Sequence, residues 1–234
     1  MTGPRPRALL LDLGDTVFRL DPLPDLAEPL AARLAALDVP DPAAAARRML
    51  GAFESAARAS YERGDTIERP ASELVLAEPG LAGSWMQDAA PALDDAIGEA
   101  DVLRWLPPPG RAALLQELRQ RGFRLVYVSN TLTAGERMRA RLGELGLLEA
   151  AQGAVFSVEL GVRKPGPAIY RAALALAGVD PAEALFIGDR VREDVEGPQA
   201  VGIPALLTHE FRQEEPRGAA VIRSLEALLS LPPP

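Results

Sequence analysis

The sequence predicts an α/β fold: a doubly wound parallel Rossmann-like sheet with an inserted all-helical cap domain. Three observations carry the prediction. Short apolar runs end in polar residues, helical stretches alternate with such runs after residue 110, and an alanine-rich stretch between residues 21 and 104 reads as helical throughout. Strands alternating with helices imply crossovers between parallel strands, and so a sheet covered by helices on both faces.

Taken in order, Arg7 to Leu13 is the first strand, a buried apolar run that empties into Asp12-Leu13-Gly14-Asp15-Thr16. The alanine-rich stretch follows, with a helix start at Asp41-Pro42, where Asp caps and Pro takes the first helical position. Proline-rich segments flank it, Asp21-Pro22-Leu23-Pro24 on one side and Leu106-Pro107-Pro108-Pro109-Gly110 on the other. The expected domains are therefore a core of residues 1–20 and 105–234 and a helical cap of residues 21–104. The core continues as a helix through Arg121, strand Arg124 to Ser129, a helix from about Ala134 to Leu145, and strand Ala154 to Ser157. Then come a helix from Pro167 to Ala177, strand Ala184 to Ile187, a helical turn region to Val201, strand Ala205 to Thr208 and a last helix near Leu225. Ligands of such sheets bind beyond the carboxyl ends of the strands.

Composition narrows the chemistry. Of the 234 residues 48% are hydrophobic, enough for one large core or two modest ones. No apolar run approaches the roughly 20 residues of a membrane span, so a cytoplasmic protein is expected. There is no cysteine and one histidine, His209, which removes thiolate zinc sites, cysteine nucleophiles and histidine metal clusters. Any metal must be held by oxygen. The net charge of -8 argues against nucleic-acid binding. Of 25 basic residues only one is a lysine, Lys164.

Four places hold polar residues that an apolar core does not explain: Asp12, Ser129 with Asn130, Lys164, and Asp189 with Asp194. Each alone is more often a turn or a helix cap than a catalytic group. Their order is the signal. Asp12-x-x-x-Thr16 after a first strand, an apolar strand ending in Ser129-Asn130, Gly161-x-x-Lys164-Pro165-x-Pro167 and Gly188-Asp189-x-x-x-x-Asp194 together resemble the four motifs of the haloacid dehalogenase (HAD) superfamily. The helical insertion resembles that family's cap between motifs one and two.

The resemblance implies a hydrolase in which Asp12 attacks a phosphorylated small molecule and forms an acyl-phosphate that water then cleaves. Three carboxylates beside a phosphate repel one another unless cations offset them, and an oxygen-rich cluster suits Mg2+. The implied metal ligands are Asp12, the Gly14 carbonyl, Asp189 and Asp194. Lys164 and Ser129 would bind the transferring group, with Thr16 tying the first turn and reaching the phosphate. Asn130 divides evenly between substrate positioning and turn geometry. No nucleic-acid or membrane partner is expected, and the chain would act as a monomer or homodimer.

One position departs from the family's phosphatases. Their second carboxylate, the general acid two residues after the nucleophile, is replaced here by Gly14, and the adjacent Asp15 points elsewhere in a turn. General acid-base catalysis is typically worth roughly 10²–10⁴-fold, so a slow enzyme is the expectation. The glycine also permits a positive φ there. A cap without lysine argues against Schiff-base chemistry, and the acidic fourth motif argues against haloacid dehalogenation, which needs no magnesium. A binding or regulatory module with little turnover is the rival from another class. Outside the motifs, Trp85 and Trp105 read as packing the cap and its hinge, and His209 as a loop residue. Arg47, Arg48, Arg58 and Arg63 read as a solvated face, and Arg190 and Arg192 as balance for the acidic motif.

Overall fold

The computed structural model describes residues 5–78 and 85–234, so residues 79–84 of the expected cap lie outside it. Strand β1 (Ala8–Leu11) leads through a turn to a two-residue strand β2 (Arg19–Leu20). Helices α1 (Ala27–Ala36), α2 (Pro42–Glu62), α3 (Ala71–Leu76), α4 (Met86–Ala89) and α5 (Pro91–Leu103) follow, and β3 (Trp105–Leu106) returns the chain. Next are α6 (Arg111–Gln120), β4 (Arg124–Ser129), α7 (Gly135–Glu144), β5 (Gly153–Phe156), α8 (Ser157–Leu160) and α9 (Pro167–Ala177). The chain closes with β6 (Ala184–Gly188), a π-helical turn Val191–Glu196, α10 (Gly197–Gln199), β7 (Ala205–Thr208), β8 (Ala220–Ile222) and a 3-10 segment Leu225–Ser230.

Six parallel strands form one sheet in the order β5-β4-β1-β6-β7-β8. Sequence order reverses at β1, which lies between β4 and β6, and such a reversal opens the crevice in which α/β sheets bind ligands. Alternation along the strands serves two cores. Leu9, Leu11, Leu125, Tyr127, Leu185 and Ile187 enter one apolar cluster, and Ala8, Leu10, Val126, Val128, Ala184 and Phe186 the other. Burial on both faces is why these strands read as continuous apolar runs.

A third apolar cluster draws its buried members only from residues 26–97, with Leu30, Leu34, Met49, Val75 and Leu93 at its centre. Helix α2 begins as expected, with the Asp41 carboxylate accepting from Ala44 N at 3.2 Å and Pro42 at the first position. Strands β2 and β3 pair antiparallel, Leu20 opposite Trp105, and set the two connections to this region side by side. Trp105 stacks on Phe18 with ring centroids 4.5 Å apart, while Trp85 packs on the third cluster.

Several boundaries differ from expectation. Ser157 opens α8 rather than closing a strand, its carbonyl accepting from Gly161 N at 2.8 Å, while its hydroxyl accepts from Thr131 N at 2.8 Å. Edge strand β8 and the β2–β3 ribbon are additions, each too short to show an alternating pattern. The last helix is a 3-10 segment. Between α2 and α3 the chain is extended: Ile67 bridges Val162, Arg163 N donates to Thr66 O at 2.8 Å, and Glu68 N donates to Gly161 O at 3.0 Å.

Candidate active site

Asp12 follows the central strand and keeps its place in the ladder, its N–H donating to Ile187 O at 2.9 Å. Asp189 follows the neighbouring β6, and Asp194 sits on the π-helical turn beyond it, a helix form that concentrates at functional sites. Gly188 makes this arrangement possible, since a Cβ there would lie 2.3 Å from Asp194 Cγ. The three carboxylates are buried, and one oxygen from each lies within 4.8 Å of the others.

Lys164 arrives on the loop before α9. Its Nζ donates to Asp12 Oδ1 at 2.5 Å and to Asp194 Oδ1 at 2.7 Å, while Asp194 Oδ2 accepts from Arg190 N at 3.0 Å. One ammonium does not balance three buried carboxylates. Burial raises the Asp12 carboxyl to about 6 against the pull of Lys164. Burial, then the charges of Asp12 and Asp194, push Asp189 up to about 8. Burial works against the Lys164 charge, but the two aspartates outweigh it and hold the lysine above its ordinary range. Arg212 stands on the outer side of Asp189, Nε to Oδ2 3.7 Å. An oxygen-only, electron-rich cluster of this kind has the donor set of a hard divalent cation.

A cavity of about 250 Å³ exposes Asp12, Gly14, Ser129, Asn130, Lys164 and Asp189 to a common space. Thus the structure brings together the candidates from all four motifs. Asn130 also locks the lysine loop, its Oδ1 accepting from Lys164 N at 2.7 Å and its Nδ2 donating to Lys164 O at 3.1 Å. Thr16 is fully buried and does not line this cavity, and its hydroxyl has no partner among the described residues.

Gly14 is not at positive φ, so turn conformation does not explain it. Space does. A Cβ on Gly14 would fall 2.5 Å from Leu20 Cδ1, and Leu20 is carried by β2, the strand that leads toward the helical insertion. Asp15 does take positive φ, at 54°, and its Oδ1 accepts from Leu20 N at 3.0 Å. Its carboxylate therefore holds the Leu20 strand.

Two polar groups around the site have no sequence signal. Asp101 accepts from Arg104 Nε at 2.9 Å and from Thr133 Oγ1 at 2.8 Å. Glu68, from the extended segment, accepts from Ser157 Oγ at 2.8 Å, and burial raises its carboxyl above the usual range. Contacts 32 and 89 residues apart leave no local pattern to read.

Comparison with known proteins agrees with this layout. A family model for haloacid dehalogenase-like hydrolases matches residues 6–202. Human haloacid dehalogenase-like hydrolase domain-containing protein 3 is 32% identical over 210 residues, covering 86% of this chain and 81% of that one. Phosphoglycolate phosphatase of Rhodospirillum rubrum is 33% identical over 218 residues, covering 90% of this chain and 83% of that one. Among solved structures, a 2-haloacid dehalogenase from Pseudomonas syringae pv. Tomato DC3000 shares the fold at a TM-score of 0.67 and 21% identity, over 97% of both chains. Phosphatase and dehalogenase names thus both occur among similar proteins, and the fold does not choose between them. By the matched core and the ordered strand-end residues, the chain belongs to the haloacid dehalogenase-like hydrolase family.

Proposed function

We propose that this chain is a Mg2+-dependent phosphatase that hydrolyses small-molecule phosphate monoesters, with residues 1–20 and 105–234 as the catalytic core and 21–104 as the cap. The observation that carries this reading is the surplus of carboxylates at the nucleophile: three are buried with oxygens within 4.8 Å of one another, Lys164 bonds only Asp12 and Asp194, and Asp189 has the Arg212 guanidinium no nearer than 3.7 Å. Attack on carbon needs no such surplus. Binding a divalent cation beside a phosphate does.

Asp12, the Gly14 carbonyl, Asp189 and Asp194 would hold the ion, which when bound supplies neutralisation and polarisation of a phosphoryl oxygen. Asp12 attacks phosphorus, the bond to the leaving oxygen breaks, and water then attacks the phosphorus of the aspartyl-phosphate to release phosphate and regenerate Asp12. Lys164 holds Asp12 in its ionised form and offsets charge on the transferring group, Ser129 contacts that group, and Asn130 fixes the loop that carries the lysine. Leu20 occupies the space beside Gly14, so the leaving oxygen lacks a carboxyl from that position. Aryl phosphates, whose leaving groups need no proton, should react much faster than alkyl ones.

The experiment is an assay on p-nitrophenyl phosphate with magnesium and with EDTA, beside halide release from 2-chloropropionate. Magnesium-dependent phosphate release with no halide release is expected. Metal-independent halide release would replace this reading with a dehalogenase.

A further inference from the structure

We propose that Arg192 recognises a second anionic group, a carboxylate or a phosphate, on the leaving-group part of the substrate; this rests on the phosphatase reading above. The 250 Å³ cavity at Asp12 adjoins one of about 740 Å³ between the core and helices α2, α3 and α5, and the residues lining both include Tyr61, Arg104, Asn130, Lys164 and Glu193. That is room for a ligand well beyond a phosphoryl group.

Most arginines of the larger cavity are already engaged. Arg63 pairs with Asp65 at 2.9 Å and Arg104 with Asp101 at 2.9 Å, and Arg163 donates to Asp65 O at 2.9 Å and to Ser60 Oγ at 2.8 Å. Arg192 is held differently. Its guanidinium carbon lies 5.9 Å from the centre of the Tyr61 ring, and its Nη2 lies 2.9 Å from where a Cβ on Gly64 would stand. Among the described residues no carboxylate comes within ion-pair distance of it. The guanidinium thus lies over the Tyr61 ring with its N–H donors not taken by any carboxylate among the described residues, which suits it to a planar or tetrahedral anion. The wall would otherwise repel such a group, because Glu193, the next residue, also lines both cavities.

Position strengthens the assignment. Arg192 lies on the π-helical turn between Asp189 and Asp194, so its distance from the reacting phosphorus is set by the core. Its partners Tyr61 and Gly64 belong to the inserted segment. An anion bound here would lie across both parts of the molecule.

The test uses phenyl phosphate, 4-(carboxymethyl)phenyl phosphate and 4-(phosphonomethyl)phenyl phosphate as substrates, with the corresponding phenylphosphonates as binding probes measured by calorimetry in magnesium. Wild type should favour one or both anionic compounds over the unsubstituted one by about tenfold or more in KM and in Kd. Which is favoured separates carboxylate from phosphate. Arg192→Ala should remove the preference while leaving phenyl phosphate within about twofold. Arg192→Lys should restore part of it, and Arg58→Ala, which removes a charge from the exposed face of α2, should change nothing. Equal affinities in wild type, or an Arg192→Ala loss that is the same for all three compounds, would overturn the proposal. Should no aryl phosphate be hydrolysed, the phosphatase reading fails, and the phosphonate affinities still decide for or against Arg192.

Discussion

The carboxyl end of the sheet and the helical insertion bury their side chains by opposite rules. At the sheet end, Asp12, Lys164, Asp189 and Asp194 are buried charges, at most 7% exposed, joined by bonds between residues as far apart as 152 positions. In the insertion the buried groups of its apolar cluster are alanine, leucine and other apolar residues, and the arginines Arg47, Arg48, Arg58 and Arg63 stand in solvent. Stability is the simpler explanation of the second pattern. It does not explain the first, because buried ion pairs seldom stabilise a fold over apolar packing. The sheet end is arranged for chemistry, and the insertion for packing over it.

Breaking the charge balance should have the largest effect on stability. Lys164→Met leaves the buried carboxylates without their ammonium, and removing one partner of a buried pair typically costs about 3–5 kcal/mol. Urea denaturation in EDTA should show a loss of that order, with a smaller loss at saturating magnesium. A loss unaffected by magnesium would argue that the acidic cluster holds no cation.

Damage to the insertion should separate the two regions. Leu30 is fully buried in the third cluster, and Leu30→Ala should destabilise by about 2–5 kcal/mol. Magnesium, as a ligand of the folded state, should raise the melting temperature of wild type, and by the same amount that of this variant. If the rise vanishes in the variant, the metal site depends on the packing of the insertion, and the two regions are not independent.

A smaller effect is expected where the two regions meet. Gly14→Ala pushes a methyl group into Leu20, and overpacking of this kind costs typically about 1–3 kcal/mol. Leu20→Ala in the same chain should recover most of the loss, and Gly14→Asp should be tolerated only on that background, where faster turnover of alkyl phosphates is the readout. Destabilisation by Gly14→Ala that Leu20→Ala does not relieve would contradict the steric account of the glycine.

How far the sequence could be read follows the same division. Asp12, Ser129, Lys164 and Asp189 stand at or just after apolar strands or in a glycine-proline loop, so local pattern and chain order are sufficient to pick them out. The reason for Gly14 is not readable, because Leu20 meets it through a turn whose geometry depends on Asp15 and on pairing with Trp105, far along the chain. Nor is the Glu68–Ser157 contact, which joins the extended segment between α2 and α3 to the start of α8. Arg192 reads as charge balance for the acidic motif. Its place across from Tyr61 and Gly64 emerges only once the insertion has folded over the sheet.

The central claim, that Asp12 attacks phosphorus, is tested most directly by acid-quenching turnover of p-nitrophenyl phosphate in H2 18O, followed by mass spectrometry of the released phosphate and of the peptide containing Asp12. A fraction of that peptide should carry a phosphoryl group, which direct attack by water would not place there. Water that then attacks the aspartyl-phosphate at phosphorus delivers 18O to phosphate and leaves the regenerated Asp12 unlabelled, and Asp12→Asn should give neither phosphorylated peptide nor labelled phosphate. A peptide that is never phosphorylated during turnover, label in the Asp12 carboxylate, or undiminished phosphate release by Asp12→Asn, would contradict the account.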